Sequence, residues 1–274
     1  MSTLTITAAD VNKLRTATGA GMMDCKKALT EANGDFEAAV DYLRKKGQKV
    51  ASNRADRDAK EGLIIAKANG TTAVAVMIGC ETDFVAKNDA FGAFANAVAD
   101  VAIANNPADA EALLANSMDG RTVGDNITDQ VGKIGEKIEV SAYATVSGDS
   151  AFAYNHPGNQ VATIVAFNKV VDAEVGKNIA MQIAAMMPVA IDKSDVSQET
   201  LDRELEIARE TTRAEGKPED MVEKIAQGKV NKFYKESTLV NQEYIKDNKL
   251  SVGQYLQSVD KDLKVVAFKR LAVK

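Results

Sequence analysis

Apolar residues in the first 50 positions recur every three or four residues, which is the spacing of one face of a helix. The pattern predicts three short helices, separated by turns that contain glycine, because glycine readily adopts the backbone angles that end helices. Asp35 is a good N-cap for the third helix, and Gly47 is predicted to end it. Since these helices offer few large apolar side chains, residues 1–50 are predicted to form a small docking domain.

Longer apolar runs follow, at residues 62–68 and 71–80. They flank Asn69 and Gly70, a strong signal for a two-residue turn, and therefore predict a β-hairpin. The helical spacing returns from about residue 89 to 105. This first region is predicted to be an α+β unit in which the helix packs on the sheet.

A second region repeats that order of elements. Residues 137–146, 150–155 and 160–167 predict three strands, and residues 173–187 predict a helix that ends before a proline. Because both regions finish as strands, a helix and a proline, the sequence predicts an internal duplication.

Residues 197–237 are rich in charge and predict two amphipathic helices joined by a turn at residues 215–218. Such a pair forms an antiparallel helical hairpin, or coiled coil. The predicted fold class is therefore α+β. The predicted division is residues 1–50 for the docking domain, 51–61 for a basic linker, 62–136 for the first core subdomain, 137–196 with 238–274 for the second, and 197–237 for the inserted hairpin.

Composition removes several classes of function. The chain has 274 residues and a net charge of −5, which argues against a surface for non-specific nucleic-acid binding. No stretch approaches the ~20 apolar residues needed to span a bilayer, and no signal peptide is visible. Two cysteines fit a reducing compartment, so we expect a cytoplasmic protein. One histidine, two cysteines and the absence of a P-loop predict no metal site, no cofactor and no directly bound nucleotide.

The most informative stretch is residues 80–88, at the junction between the second predicted strand and the helix that follows. A large aromatic, Phe84, stands there beside the carboxylate of Asp83. The ring is suited to insertion into a partner protein, or it packs on its own helix as a hydrophobic staple. The residues alone leave these two interpretations open.

Seven basic residues between positions 44 and 60 form a second charged feature. A solvated linker helix is the favoured interpretation. A phosphate-binding surface is the alternative, which the lack of interleaved aromatic residues disfavours.

Two longer motifs carry a family likeness. Residues 18–29, TGAGMMDCKKAL, resemble the N-terminal signature of the elongation factor Ts family, and residues 82–87, TDFVAK, resemble its second signature. Residues 154–158 and 179–185 stand where the family has similar stretches. Many members carry a further helix after the last strand, where this sequence stops at Lys274.

This resemblance implies a guanine-nucleotide exchange factor that binds the GTPase elongation factor Tu in its GDP state and promotes GDP release by displacing Mg²⁺. It also implies a ubiquitin-associated-like N-terminal domain, two core subdomains and a protruding coiled coil. An exchange factor of this kind is not an enzyme with catalytic residues, and contacts neither nucleic acid nor membrane directly.

The resemblance also implies which residues contact the partner. The segment linked to Mg²⁺ displacement corresponds to Thr82, Asp83, Phe84 and Val85. Further contacts correspond to Met22, Met23, Lys26 and His156, although a lone histidine before Pro-Gly is also typical of a plain turn. A non-catalytic interaction scaffold with a helical docking domain is the alternative function.

Overall fold

The chain folds into a mixture of helices and strands, and the computed structural model describes residues 6–273. This mixture agrees with the predicted α+β class. The helices of the described chain are α1 (Ala8–Thr18), α2 (Met22–Glu31), α3 (Phe36–Asn53), α4 (Asp83–Ala86), α5 (Asp89–Asn105), α6 (Ala110–Ala115), α7 (Val123–Ile134), α8 (Ala173–Met186), α9 (Gln198–Ala214), α10 (Glu219–Ser237) and α11 (Val252–Val259). The strands are β1 (Glu61–Ala68), β2 (Gly70–Cys80), β3 (Ser117–Met118), β4 (Arg121–Thr122), β5 (Glu139–Asn155), β6 (Val161–Phe167), β7 (Glu243–Tyr244), β8 (Asp247–Ser251) and β9 (Val265–Ala272).

The main sheet has five strands in the order β1-β2-β5-β6-β9, and β3-β4 and β7-β8 form two small ladders. The β5 and β6 strands are antiparallel, with Ser150 opposite Phe167 and Asn155 opposite Ala162. The prediction of two separate strands at 137–146 and 150–155 was wrong, because β5 is continuous over 17 residues. Gly148 lies inside it, where a Cβ atom would stand 2.5 Å from the Phe167 carbonyl oxygen. Glycine is thus needed for the close approach of β6 and does not mark a turn.

The chain divides into two compact units, and each is described by itself. The first unit takes in the chain up to Ile65, Val76–Tyr143 and the residues from Ala272. Its N-terminal helices α1, α2 and α3 enclose a small apolar core. The buried members of that core are Val11, Leu14, Ala20, Cys25, Ala28, Leu29 and Ala39.

Helix α3 of this unit does not end at Gly47, as the sequence predicted, but continues to Asn53. The glycine lies where α3 packs along α7, and there it faces Gly132. A Cβ atom on Gly132 would stand 2.8 Å from the Gly47 Cα atom, so the two helix backbones touch. Gly47 therefore serves helix packing rather than helix termination, and residue 50 lies inside a helix.

The second unit takes in Ala66–Ala75 and Ala144–Leu271. Helix α8 lies on its strands, because the Thr163 hydroxyl of β6 donates to the Ala180 carbonyl of α8 at 2.7 Å. Gly176 of the same helix leaves room for the Phe152 ring of β5. The buried core of this unit is formed by Val165, Phe167, Val175, Ile179, Ala180, Ile183, Leu239, Tyr244, Val252, Leu256, Leu263 and Val265.

Helices α9 and α10 of the second unit pack against each other along their lengths. Their contact face is narrow and consists of small and β-branched residues. Ion pairs close its sides, among them Arg209 with Glu223 at 2.9 Å and Arg213 with Glu219 at 3.0 Å. The buried residues of this face are Ala208, Thr212, Val222, Ala226 and Val230.

No helix within residues 6–273 is long and apolar enough to cross a membrane.

The contact between Gly47 and Gly132 can be tested with two alanine substitutions in α7. Gly132→Ala is expected to lower the free energy of unfolding by about 1–3 kcal/mol, because a methyl group there forces two helix backbones apart. Gly124→Ala is the matched control, since its Cβ atom would meet the Leu114 carbonyl at an ordinary 3.5 Å. That control is expected to leave stability unchanged or to raise it by up to ~1 kcal/mol. Urea denaturation of both variants checks this, and equal effects at the two positions would contradict the packing argument.

Candidate functional site

Residues 82–85, which we call the tip, follow β2 and consist of the N-cap residue Thr82 and the first three residues of α4. The Phe84 side chain at the tip is 82% exposed. It does not pack on its own helix, so the interpretation of Phe84 as a hydrophobic staple was wrong. A phenyl ring this exposed leaves much of its apolar surface in water, where it is available to a partner.

Neighbouring residues explain why the ring points outward while the chain around it is fixed. Ala86, the last residue of α4, is buried. The Asn88 side chain accepts a hydrogen bond from the Ala90 N–H at 2.8 Å and caps α5. Phe91 and Phe94 of α5 are both buried. The two inward aromatic residues thus anchor the following helix, and Phe84 is left outside the core.

Asp83 at the tip is paired within its own turn. The Lys87 ammonium donates to the Asp83 carboxylate at 2.7 Å, across one turn of helix. This hydrogen bond holds the pKa of Asp83 below its ordinary value and the pKa of Lys87 above its ordinary value. Both side chains remain largely accessible to water, so a partner can replace either one.

Thr82 is held from outside the helix by Glu136. The Thr82 hydroxyl donates to Glu136 Oε1 at 2.7 Å, and the Thr82 N–H donates to Glu136 Oε2 at 3.1 Å. Thr82 occupies the N-cap position of α4 but makes no side-chain cap hydrogen bond to that helix. The start of the tip is therefore fixed to the segment between α7 and β5.

Glu81, next to Thr82, fixes two other parts of the first unit. Its carboxylate accepts hydrogen bonds from the Lys137 N–H and from Arg54 Nη1, both at 2.7 Å, and pairs with Arg57 at 3.7 Å. The bond from the Lys137 N–H is the first cause that holds the pKa of Glu81 below its ordinary value, and Arg54 adds to it. Arg54 and Arg57 thus pair with a carboxylate of the same unit, which counts against a phosphate-binding surface at these two residues.

Cys80 directly precedes Glu81 and is fully buried. Burial raises the pKa of its thiol to about 12, and the nearby Glu136 charge acts in the same direction. The thiol is therefore protonated at neutral pH and is not a nucleophile. Among the residues that the structure describes, no three His, Cys, Asp or Glu side chains come together as a metal site.

Met22, Met23 and Lys26 belong to α2, in the same unit as the tip. Met22 and Met23 begin this helix after Gly21, and their side chains are 54% and 75% exposed. Lys26, one turn later, is also exposed. Flexible, exposed methionine side chains are suited to contact with another protein.

His156 belongs to the second unit and follows β5. Its backbone N–H donates to the Val161 carbonyl at 2.9 Å, so it is a turn residue. The ring is exposed and its Nδ1 lies 3.1 Å from the Tyr154 hydroxyl. It also lines a largely apolar groove of about 350 Å³ with Tyr154, Val161, Met181, Ala184, Ala185 and Ile245. His156 is therefore a turn residue whose ring is also accessible to a partner.

Sequence patterns did not identify Lys87, Glu81 and Glu136 as parts of the site. The Lys87 pairing has a local signal, because Asp83 and Lys87 are four residues apart on a helix. The pairing of Glu136 with Thr82 has no local sequence signal, since the two residues are 54 positions apart along the chain.

Comparison with known proteins matches the chain to one family. The family model "Elongation factor TS" matches residues 81–274. The chain is 54% identical to elongation factor Ts of Christiangramia forsetii over 98% of each chain. It is 50% identical to that of Flavobacterium psychrophilum and 48% identical to that of Porphyromonas gingivalis, in each case over 98% of this chain and 99% of the relative.

The role of the Glu81 cluster can be tested through pH. At neutral pH, Glu81→Gln is expected to lower the free energy of unfolding by about 1–3 kcal/mol, because hydrogen bonds to a charged group are lost. The pKa of Glu81 is lower in the folded protein than its ordinary 4.5. Its contribution is therefore complete above that ordinary value and disappears as pH falls through the lower folded value.

The measurement is urea denaturation at a series of pH values between neutral and acid. The difference between the wild type and Glu81→Gln should shrink as pH falls below the ordinary glutamate range. Glu111→Gln, at an exposed position of α6 in the same unit, serves as the control and should change stability by less than about 0.5 kcal/mol. A difference that stays constant with pH would show that the Glu81 charge is not the stabilising feature.

Proposed function

This chain belongs to the elongation factor Ts family, and we propose that it is a guanine-nucleotide exchange factor for the GTPase elongation factor Tu. It binds the GDP-bound partner, displaces Mg²⁺ and disturbs the nucleotide site, so that GDP leaves and GTP can be loaded. The observation that carries this proposal is the tip, where an exposed phenyl ring stands on a backbone fixed by Glu136 and Glu81.

Exchange of this kind needs differential binding rather than catalytic groups. The exchange factor must bind the nucleotide-free partner more tightly than the nucleotide-bound one, and each ligand then weakens the other by the same factor. Reversing an equilibrium of 99:1 takes about 5.5 kcal/mol of differential binding. Burial of one phenylalanine supplies at most ~3 kcal/mol. Phe84 therefore acts together with several other contacts.

Within the tip, Phe84 separates elements of the partner that border its nucleotide, and Asp83 accepts hydrogen bonds from donors that had served the nucleotide site. Asp83 is already ionised and exchanges its bond to Lys87 for the new donors. Thr82 and Val85 complete the segment that loosens Mg²⁺. Since Mg²⁺ in such sites is held by phosphate oxygens and few protein oxygens, small shifts of its ligands suffice.

The remaining contacts lie elsewhere on the chain. We propose that Met22, Met23 and Lys26 form a second contact as part of a docking domain built from helices α1, α2 and α3. Their exposure on α2 supports this. His156 and its apolar groove form a third contact in the second core subdomain. The proposed core subdomains are residues 62–136 and residues 137–196 with 238–274, and residues 197–237 form the coiled coil.

Stopped-flow release of fluorescent GDP from elongation factor Tu tests the proposed function directly. The chain should raise the release rate in a concentration-dependent and saturable manner. If release stays unchanged while the two proteins still bind in a pull-down, the chain is an interaction scaffold and the exchange proposal fails.

Phe84→Ala is expected to lower the exchange rate by about tenfold or more, because losing about 1.5–3 kcal/mol of burial corresponds to that factor. Thermal unfolding should change little, since the ring is exposed in the free protein. Val170→Ala is the matched control, because Val170 is 81% exposed in the other unit and should leave exchange unchanged. A loss of folding in Phe84→Ala, or equal losses of exchange in both variants, would contradict the special role of Phe84.

A further inference from the structure

In the first unit, Glu81 and Glu136 each accept a hydrogen bond from the backbone N–H of the residue that follows the other. Glu136 accepts the Thr82 N–H at 3.1 Å, and Glu81 accepts the Lys137 N–H at 2.7 Å. Residues 81–82 and 136–137 are therefore joined in both directions. We call this arrangement the cross-brace. Hydrogen bonds to ionised acceptors are stronger than neutral ones, so the cross-brace holds the two segments firmly.

The Glu136 half of the cross-brace bears directly on the tip. The hydroxyl of a threonine at an N-cap usually accepts a hydrogen bond from its own helix. Here the Thr82 hydroxyl donates to Glu136 instead, and α4 is left without a side-chain cap. A helix of a single turn is not stable on its own in water. The direction in which α4 presents Phe84 is thus set by the bonds that Thr82 makes to Glu136, together with the burial of Ala86.

Glu136 is itself held in place on both sides. Gly135 precedes it in the left-handed conformation, with φ of 79°, and ends α7. Lys137 follows it, with its N–H bonded to Glu81 and its ammonium donating to the Ala55 and Arg57 carbonyls at 3.1 and 2.8 Å. The carboxylate is therefore a fixed point from which the tip is positioned.

We propose that Glu136 is a positioning residue for nucleotide exchange, which acts through Thr82 to hold the Phe84 ring at the angle of insertion. This inference rests on the proposed function and adds a residue that does not itself need to touch the partner. Both Glu136 oxygens are used, each by a different donor of Thr82. A glutamine has one acceptor oxygen and an amide group that can only donate, so it must reverse the bond to the Thr82 hydroxyl. It also replaces two charge-assisted hydrogen bonds with weaker neutral ones.

The experiment measures GDP release from elongation factor Tu over a range of concentrations of Glu136→Gln. The saturating rate is expected to fall threefold or more, because the ring is presented in a less favourable range of directions. The half-saturating concentration should change by less than twofold, because the other contacts are intact. Glu139→Gln is the matched control, since Glu139 pairs with Lys137 at 3.1 Å, three residues further along the same segment. It should keep the wild-type rate.

A second pair of variants approaches the same bonds from Thr82. Thr82→Ser retains the hydroxyl and should exchange nucleotide at least threefold faster than the variant that lacks it. Thr82→Val loses the hydroxyl while keeping the shape of the side chain, and it should match Glu136→Gln. Circular dichroism and thermal unfolding of all variants identify any that fail to fold, and the Thr82 pair then decides the question without Glu136→Gln.

A double-mutant cycle separates positioning from a general structural effect. In the Phe84→Ala background, Glu136→Gln should lower the saturating rate by a clearly smaller factor, because the ring is gone and only the Asp83 contact remains to be positioned. Equal losses in both backgrounds would overturn the proposal, and so would a wild-type rate for both Glu136→Gln and Thr82→Val. If the wild-type chain does not accelerate release at all, the proposed function fails and this inference fails with it.

Discussion

A phenyl ring that stands in water has no packing of its own to hold it, so its position depends on the backbone that carries it. In this protein that backbone is a single turn of helix, which is too short to be stable alone. The turn is fixed by burial of Ala86 on one side and by the bonds from Thr82 to Glu136 on the other. The ordered surroundings of the tip follow from the need to fix one exposed side chain.

Acidic side chains, rather than apolar contacts, do most of this fixing. Glu81 accepts from the Lys137 N–H and from Arg54, and Glu136 accepts from the Thr82 N–H and hydroxyl, so both charges are compensated where they are partly buried. The Glu136 charge also helps to keep the Cys80 thiol protonated and unreactive. The net acidity of the chain is therefore not only a property of its surface.

The sequence predicted the parts of this arrangement that depend on local pattern. The order of strand, turn and helix around residues 70–105 follows from apolar spacing, and the structure places α5 at the predicted residues. Gly47 was misinterpreted, and β5 was wrongly divided around Gly148, because the sequence does not distinguish a glycine that permits close packing from one that ends a helix or makes a turn. The sequence located the motif of the site, but it could not predict that Phe84 is exposed. Glu136 could not be found either, because its partner lies far away along the chain.

The continuity of α3 has a practical consequence for dividing the chain into parts. At about 1.5 Å per residue, its 18 residues form a rod of about 27 Å. The rod runs from the core of the N-terminal helices to Arg54, which holds Glu81. Cutting the chain at residue 50 would remove Met22 and Met23 and would also leave Arg54 on the frayed remainder of a helix. A truncated protein would thus lose the proposed contact on α2 and a support of the tip together, and a change in its activity could not be assigned to either one.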